Sequence, residues 1–218
     1  MNVLEDRRSF LKRAAAAMAA FPLLTAACGT QVAGKKPDNT LLGRLRQNGR
    51  TGENWTGAAN VPDTVAWRSV LANESDKGEP IHISGTVFKA DEKTPAPNTL
   101  IYLYHTDFEG YYGRGGQHRH GRFRGWLLTD DRGRYEFRTI KAAPYPENKW
   151  AAHIHMTVTT TEQREDWIDS ILFEGDRLIA PQERSLAGKR GGFNPIVKLE
   201  KRSDGSLVAW RDIRLFSV

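Results

Sequence analysis

The residues most able to do chemistry gather around Trp150-Ala151-Ala152-His153-Ile154-His155-Met156-Thr157-Val158, where two imidazoles stand two residues apart in a run of strand formers. Successive side chains on a strand alternate between faces, so His153 and His155 share one face while Ile154 and Met156 take the other. Read alone, the pair fits two partnered polar side chains on the wet face of a sheet as well as it fits a metal site. Phenols supply the other candidates. Gly110-Tyr111-Tyr112 follows an apolar run, and Ala143-Pro144-Tyr145-Pro146 makes a stiff extended turn ahead of the histidines, because each proline fixes its own φ and restricts its predecessor. A deprotonated tyrosine is a hard anionic ligand suited to ferric iron and imidazole an intermediate one, so two of each would offset much of the Fe(III) charge. Zinc or copper needs no pair of phenolates. The single cysteine, Cys28, excludes a zinc site built on two thiolates and any disulfide within the chain.

These residues need rigid elements to hold them. Ile81 to Phe88, Thr99 to Tyr104, Trp126 to Thr129, Arg134 to Ile140, the His153 run, Ile171 to Phe173, Pro195 to Leu199 and Leu207 to Leu215 all read as strands. Asp130-Asp131-Arg132-Gly133 is a tight turn, and Ser203-Asp204-Gly205 joins the last two strands. Many short strands with turn punctuation predict an all-β fold, an antiparallel β-sandwich with an irregular N-terminal arm and long loops. Val65 to Leu71 reads as a short helix with Asp63 or Thr64 as its N-cap. Trp55, Trp67 and Tyr135 read as packing residues and His82 as structural. His105, His118 and His120 read as loop or surface histidines.

The 218 residues, 39% hydrophobic, are enough for one good core. Of the +6 formal charge, residues 1–27 carry four basic side chains (Arg7, Arg8, Lys12, Arg13) against Glu5 and Asp6, which leaves +4 for the rest. A dispersed excess of that size is no nucleic-acid footprint, although the Arg114 to Arg124 segment could favour an anionic substrate. Asp6-Arg7-Arg8-Ser9-Phe10-Leu11-Lys12, followed by a short apolar stretch, resembles a twin-arginine signal peptide. Leu24-Thr25-Ala26-Ala27-Cys28 resembles a lipoprotein cleavage box, with Cys28 the lipidated residue. The expected organisation is a signal segment over 1–28, a linker and arm over 29–78 and a folded domain over 79–218. The expected location is the periplasm or cell envelope, with anchoring to a membrane surface through Cys28.

Over roughly residues 79–216 the chain resembles the intradiol ring-cleavage dioxygenases, the protocatechuate and catechol dioxygenase family. The resemblance rests on Gly85-Thr86-Val87, Tyr104-His105-Thr106-Asp107-Phe108-Glu109-Gly110-Tyr111-Tyr112, Arg124 through Ile140, Pro144-Tyr145-Pro146, His153-Ile154-His155 and Phe173-Glu174-Gly175-Asp176. It implies Fe(III) held by Tyr112, Tyr145, His153 and His155, with Tyr145 the ligand that substrate displaces and a base for the catechol proton. It also implies O2-dependent opening of a catechol ring between its hydroxyl-bearing carbons. Two departures stand out. Trp150 occupies the place of the family's arginine and offers an aromatic wall to substrate, and Ser170 replaces a usual glutamine. Lys149, Arg119, Arg122 and Arg124 are the candidate replacement cations. The alternatives are an exported β-sandwich module that binds iron or catecholic ligands without turnover, and a bare transthyretin-like module.

Overall fold

The computed structural model describes residues 39–52, 57–113, 118–185 and 188–217. Arg7, Arg8, Cys28 and Trp55 lie outside them. In chain order the described residues form a helix α1 (Leu41–Gln47) and strands β1 (Arg68–Val70), β2 (Pro80–Phe88), β3 (Leu100–His105), β4 (Arg124–Leu128), β5 (Arg134–Ile140), β6 (His153–Thr159), β7 (Asp166–Phe173), β8 (Ile196–Val197), β9 (Glu200–Lys201), β10 (Leu207–Trp210) and β11 (Ile213–Arg214). One sheet runs β1-β5-β2-β10-β9 with β11 added on β2, and the other runs β4-β3-β6-β7-β8. The expected all-β sandwich is present. Its long ladders are antiparallel, while β1 on β5, β10 and β11 on β2, and β8 on β7 are short parallel pairings.

Period-two alternation explains the core. Ile81, Ile83 and Val87 of β2 point inward to meet Ile101 and Leu103 of β3 and Ile154, Met156 and Val158 of β6. Strand β3 is buried on both faces, because α1 and the turn Ala58–Asn60 cover the outer side of its sheet. Leu45, Ala58 and Val61 pack there on Leu100, beside Trp126 and Leu128. Glu165, fully buried, ties this arm down: its carboxylate accepts from the Thr157 hydroxyl at 2.8 Å and the Arg50 N–H at 3.1 Å, and its own N–H donates to the Asn48 carbonyl at 2.8 Å.

Several expectations are corrected. The helix expected over Val65 to Leu71 is absent, and β1 forms there because its backbone finds partners on both sides. The Glu136 N–H donates to the Trp67 carbonyl, the Leu71 N–H to Arg138 and the Leu128 N–H to Ala66. The single strand expected from Leu207 to Leu215 breaks between β10 and β11, where the Asp212 side chain accepts the Thr86 N–H at 2.8 Å in place of a ladder bond. His105 and His120 are buried, not surface, residues. His105 lies on the strand's inward turn, with Nδ1–H donating to the Thr106 carbonyl and Nε2 accepting from the Thr139 hydroxyl, both at 2.7 Å. His120 stacks on Tyr104 with ring centroids 3.7 Å apart.

Candidate metal centre

Strand β6 sets His153 and His155 on the outer face of its sheet, with Ile154 and Met156 fully buried beneath. The β6–β7 register slips between Ile154 and Met156, so His155 faces both Asp169 and Ser170. A bulge of this kind re-aims a side chain. Ser170 Oγ lies 3.2 Å from His155 Nδ1. Across the β3–β6 ladder Tyr104 pairs with His155 and stacks on it at 4.6 Å, which leaves that ring little freedom to turn.

The two phenols arrive on loops. Asp107 organises the first, its carboxylate accepting the N–H groups of Glu109 and Tyr111 at 2.9 Å. Gly110 then lets this loop touch the proline-rich one: its φ is +88°, and a Cβ there would stand 2.2 Å from the Pro144 carbonyl oxygen. Tyr112 Oη and Tyr145 Oη consequently lie 2.5 Å apart. Tyr145 Oη is 3.3 Å from His153 Nε2 and 3.4 Å from His155 Nε2, and the two Nε2 atoms are 3.0 Å apart. Tyr112, Tyr145, His153 and His155 are thus brought to one point.

This arrangement directs the donor atoms of four side chains to one place. His153 Nδ1 lies 2.6 Å from the Ala151 carbonyl, which can only accept, so Nδ1 carries the proton and the Nε2 lone pair faces the cluster. His155 turns its own Nε2 to the same point, and burial together with the neighbouring His153 holds its pKa down to about 3, which keeps the ring neutral. Burial and the Tyr145 hydroxyl push the Tyr112 phenol far above its ordinary pKa, so only a strong Lewis acid would ionise it. Donor atoms around one ion at bonds of about 2.0–2.1 Å are separated by roughly 2.9–3.4 Å, close to the spacings seen here. Among the described residues no three His, Cys, Asp or Glu side chains gather for a metal. The donors here are two imidazoles and two phenols, a set that fits a hard, highly charged ion and does not fit zinc.

A cavity of about 320 Å3 opens beside the histidines, lined by Trp150, Ser170, Asp169, Glu183 and Lys189 among others. Trp150 is 63% exposed at its edge. The four cations considered from sequence do not line it. Arg122 pairs with Asp76 and lies over the Phe123 ring, and Arg124 donates to the Gly121 carbonyl. Arg119 and Lys149 are exposed, although the Arg119 charge is felt at the Tyr104 phenol, whose pKa burial holds high. Sequence reasoning missed Lys189. It sits in Gly188-Lys189-Arg190-Gly191-Gly192, whose glycines signal a loop while no periodicity tells where its side chains point.

A family profile described as Dioxygenase (Dioxygenase_C) matches residues 58–207, well over half of the chain. The chain belongs to the intradiol dioxygenase family. It is 29% identical over 111 residues to a catechol 1,2-dioxygenase of Acinetobacter baylyi, an alignment covering 50% of this chain and 35% of that protein. The chain thus spans about a third of that relative's length. Two solved structures share the fold. The dioxygenase domain of a dioxygenase carbohydrate-binding protein fusion from Streptomyces sp. SirexAA-E aligns with TM-score 0.55 and 22% identity, covering 72% of this chain and 92% of that one. The 3-chlorocatechol 1,2-dioxygenase of Rhodococcus opacus 1CP aligns with TM-score 0.57 and 19% identity, covering 73% and 68%.

Proposed function

We propose that the protein is an Fe(III)-dependent intradiol dioxygenase that opens the ring of a catechol-type substrate with O2. The observation that carries this reading is the meeting of Tyr112 Oη, Tyr145 Oη, His153 Nε2 and His155 Nε2 through contacts of 2.5 to 3.4 Å beside a cavity. These four residues would hold the iron. When bound, ferric iron supplies a Lewis acid that favours the catecholate and a centre that makes the electron-rich ring reactive towards O2.

The protein's own part is positioning and proton transfer. His153 and His155 are fixed from behind by the Ala151 carbonyl and the Ser170 hydroxyl, which is how outer partners orient ligating imidazoles. Tyr145 touches three of the cluster's other atoms, so its withdrawal frees a position, and its phenolate oxygen is placed to take the second proton of the catechol. Trp150 gives the cavity mouth an apolar wall against which a ring can lie. Insertion of both oxygen atoms between the hydroxyl-bearing carbons yields a dicarboxylic acid.

A second reading, an iron-dependent catechol binder without turnover, is favoured by Trp150 standing where the family carries an arginine. Purified protein reconstituted with iron should be burgundy, and the colour and iron should be lost in Tyr112→Phe. Oxygen uptake against a panel of catechols then separates the readings. Colourless protein that keeps its iron in Tyr112→Phe would overturn the ligand assignment, and a visible band that shifts with catechols without oxygen uptake would leave the binder.

A further inference from the structure

The geometry points to Lys189 as the specificity-determining residue of the cavity, selecting catechols whose ring bears an anionic side chain. This rests on the catechol reading above. Among the described residues lining the cavity, Lys189 is the only Lys or Arg, and no carboxylate among the described residues pairs with it. Two carboxylates share the lining. Glu183 Oε2 accepts the Ala180 N–H at 2.7 Å, which binds it to the short turn Pro181–Arg184. Asp169 Oδ2 is sealed from solvent with no hydrogen-bond partner among the described residues, and its charge acts on the buried Arg211 guanidinium. The Lys189 ammonium is the positive charge that the described lining offers a ligand.

The rest of the cavity agrees with an extended substrate. Its volume of about 320 Å3 falls at the lower end of the roughly 300–1,000 Å3 usual for ligand pockets and exceeds what a bare catechol ring requires. With the diol directed to the cluster of His153 and His155 and the ring against Trp150, a short acidic chain on the ring would reach towards the Gly188 to Gly192 loop that carries Lys189. The residue lies outside the ligand set and is only partly buried, so it can be changed without disturbing the phenols and imidazoles.

The test is anaerobic titration of the iron-loaded protein with 3,4-dihydroxyphenylacetate, 4-propylcatechol and 3,4-dihydroxyphenethylamine, following the visible band. These probes resemble one another in size and carry negative, zero and positive charge. Affinity should fall in that order, by about three- to five-fold per step, as for a partly exposed ion pair. Lys189→Met should flatten the order and Lys189→Glu reverse it, while Lys149→Met, off the cavity but beside Trp150, should leave it unchanged. Equal affinities in the unaltered protein, the same order in Lys189→Met, or an equal effect from Lys149→Met would overturn the role of Lys189 while leaving the catechol reading intact. Absence of any band shift with all three probes would sink the catechol reading, and this inference with it.

Discussion

His105 should make the protein acid-labile, and the size of the effect follows from its surroundings. The ring is fully buried, donates from Nδ1 to Thr106 and accepts at Nε2 from Thr139. Burial lowers its pKa from 6.5 to about 4. Above pH 6.5 the ring is neutral in both folded and unfolded chains and contributes no pH dependence. As the pH falls below 6.5 the unfolded chain takes up a proton that the folded chain refuses. Stability then drops by about 1.4 kcal/mol per pH unit until the folded ring also protonates. Over the window from 6.5 to about 4 the loss is about 3 kcal/mol. Urea unfolding of metal-stripped protein at steps from pH 7.5 to 4 measures it. His105→Gln should start lower at pH 7.5, by about 1–3 kcal/mol for the disturbed buried hydrogen bonds, yet fall less steeply on acidification. His120 and His155, both also depressed by burial, titrate in either protein and cancel in the difference. Parallel curves for the two proteins would show that His105 is not the depressed group.

Other outcomes follow from the same geometry. Gly110→Ala should cost about 1–3 kcal/mol of strain at its positive φ and push apart the loops bearing Tyr112 and Tyr145, so iron content should fall with the urea midpoint; unchanged iron would refute the close approach. Ser170→Ala should weaken iron binding by about 10-fold or more through loss of the partner of His155 Nδ1, checked by competition with a chelator, and Ser170→Thr should restore most of it. Simple catechol and protocatechuate should turn over slowly, since losing one preorganised charge donor costs about 100-fold or more in rate; fast protocatechuate cleavage in an oxygen electrode contradicts this. From the resemblance of residues 6–28 to a signal segment alone, and not from the structure, we propose that Arg7→Lys with Arg8→Lys blocks export and Cys28→Ala releases the protein from membranes; cell fractionation that finds either unchanged refutes that part.

How far the chain could be read from its residues depended on the range of the interaction involved. Alternation alone put His153 and His155 on one face and Ile154 and Met156 on the other, because a strand's faces are set by neighbouring residues. The prolines around Tyr145 likewise marked one constrained loop. That this loop meets the one bearing Tyr112 depends on Gly110 packing under Pro144, a contact across 34 positions that no local pattern encodes. β1 was misread for the same reason, since its ladder partner β5 lies more than sixty residues downstream. His120 sits in an Arg- and Gly-rich stretch that resembles surface, and long-range contacts with Tyr104 and the Tyr102 hydroxyl bury it. The bulge opposite His155 was invisible because it arises from a slip between two strands, not from either strand's composition.

Glu165 bears on where a transplantable piece of this protein begins. The family match starts at residue 58, which would invite cutting there. Such a cut removes the Arg50 N–H and the Asn48 carbonyl from a carboxylate-bearing residue that has no exposed surface, and it strips Leu45 from Leu100 on the outer side of the sheet that carries the histidines. A buried carboxylate left with the Thr157 hydroxyl but without the Arg50 N–H, and an apolar face newly open to water, both favour aggregation over folding. A chimera or minimal fragment has to keep α1, because that helix covers part of the same outer face on which the donor cluster stands.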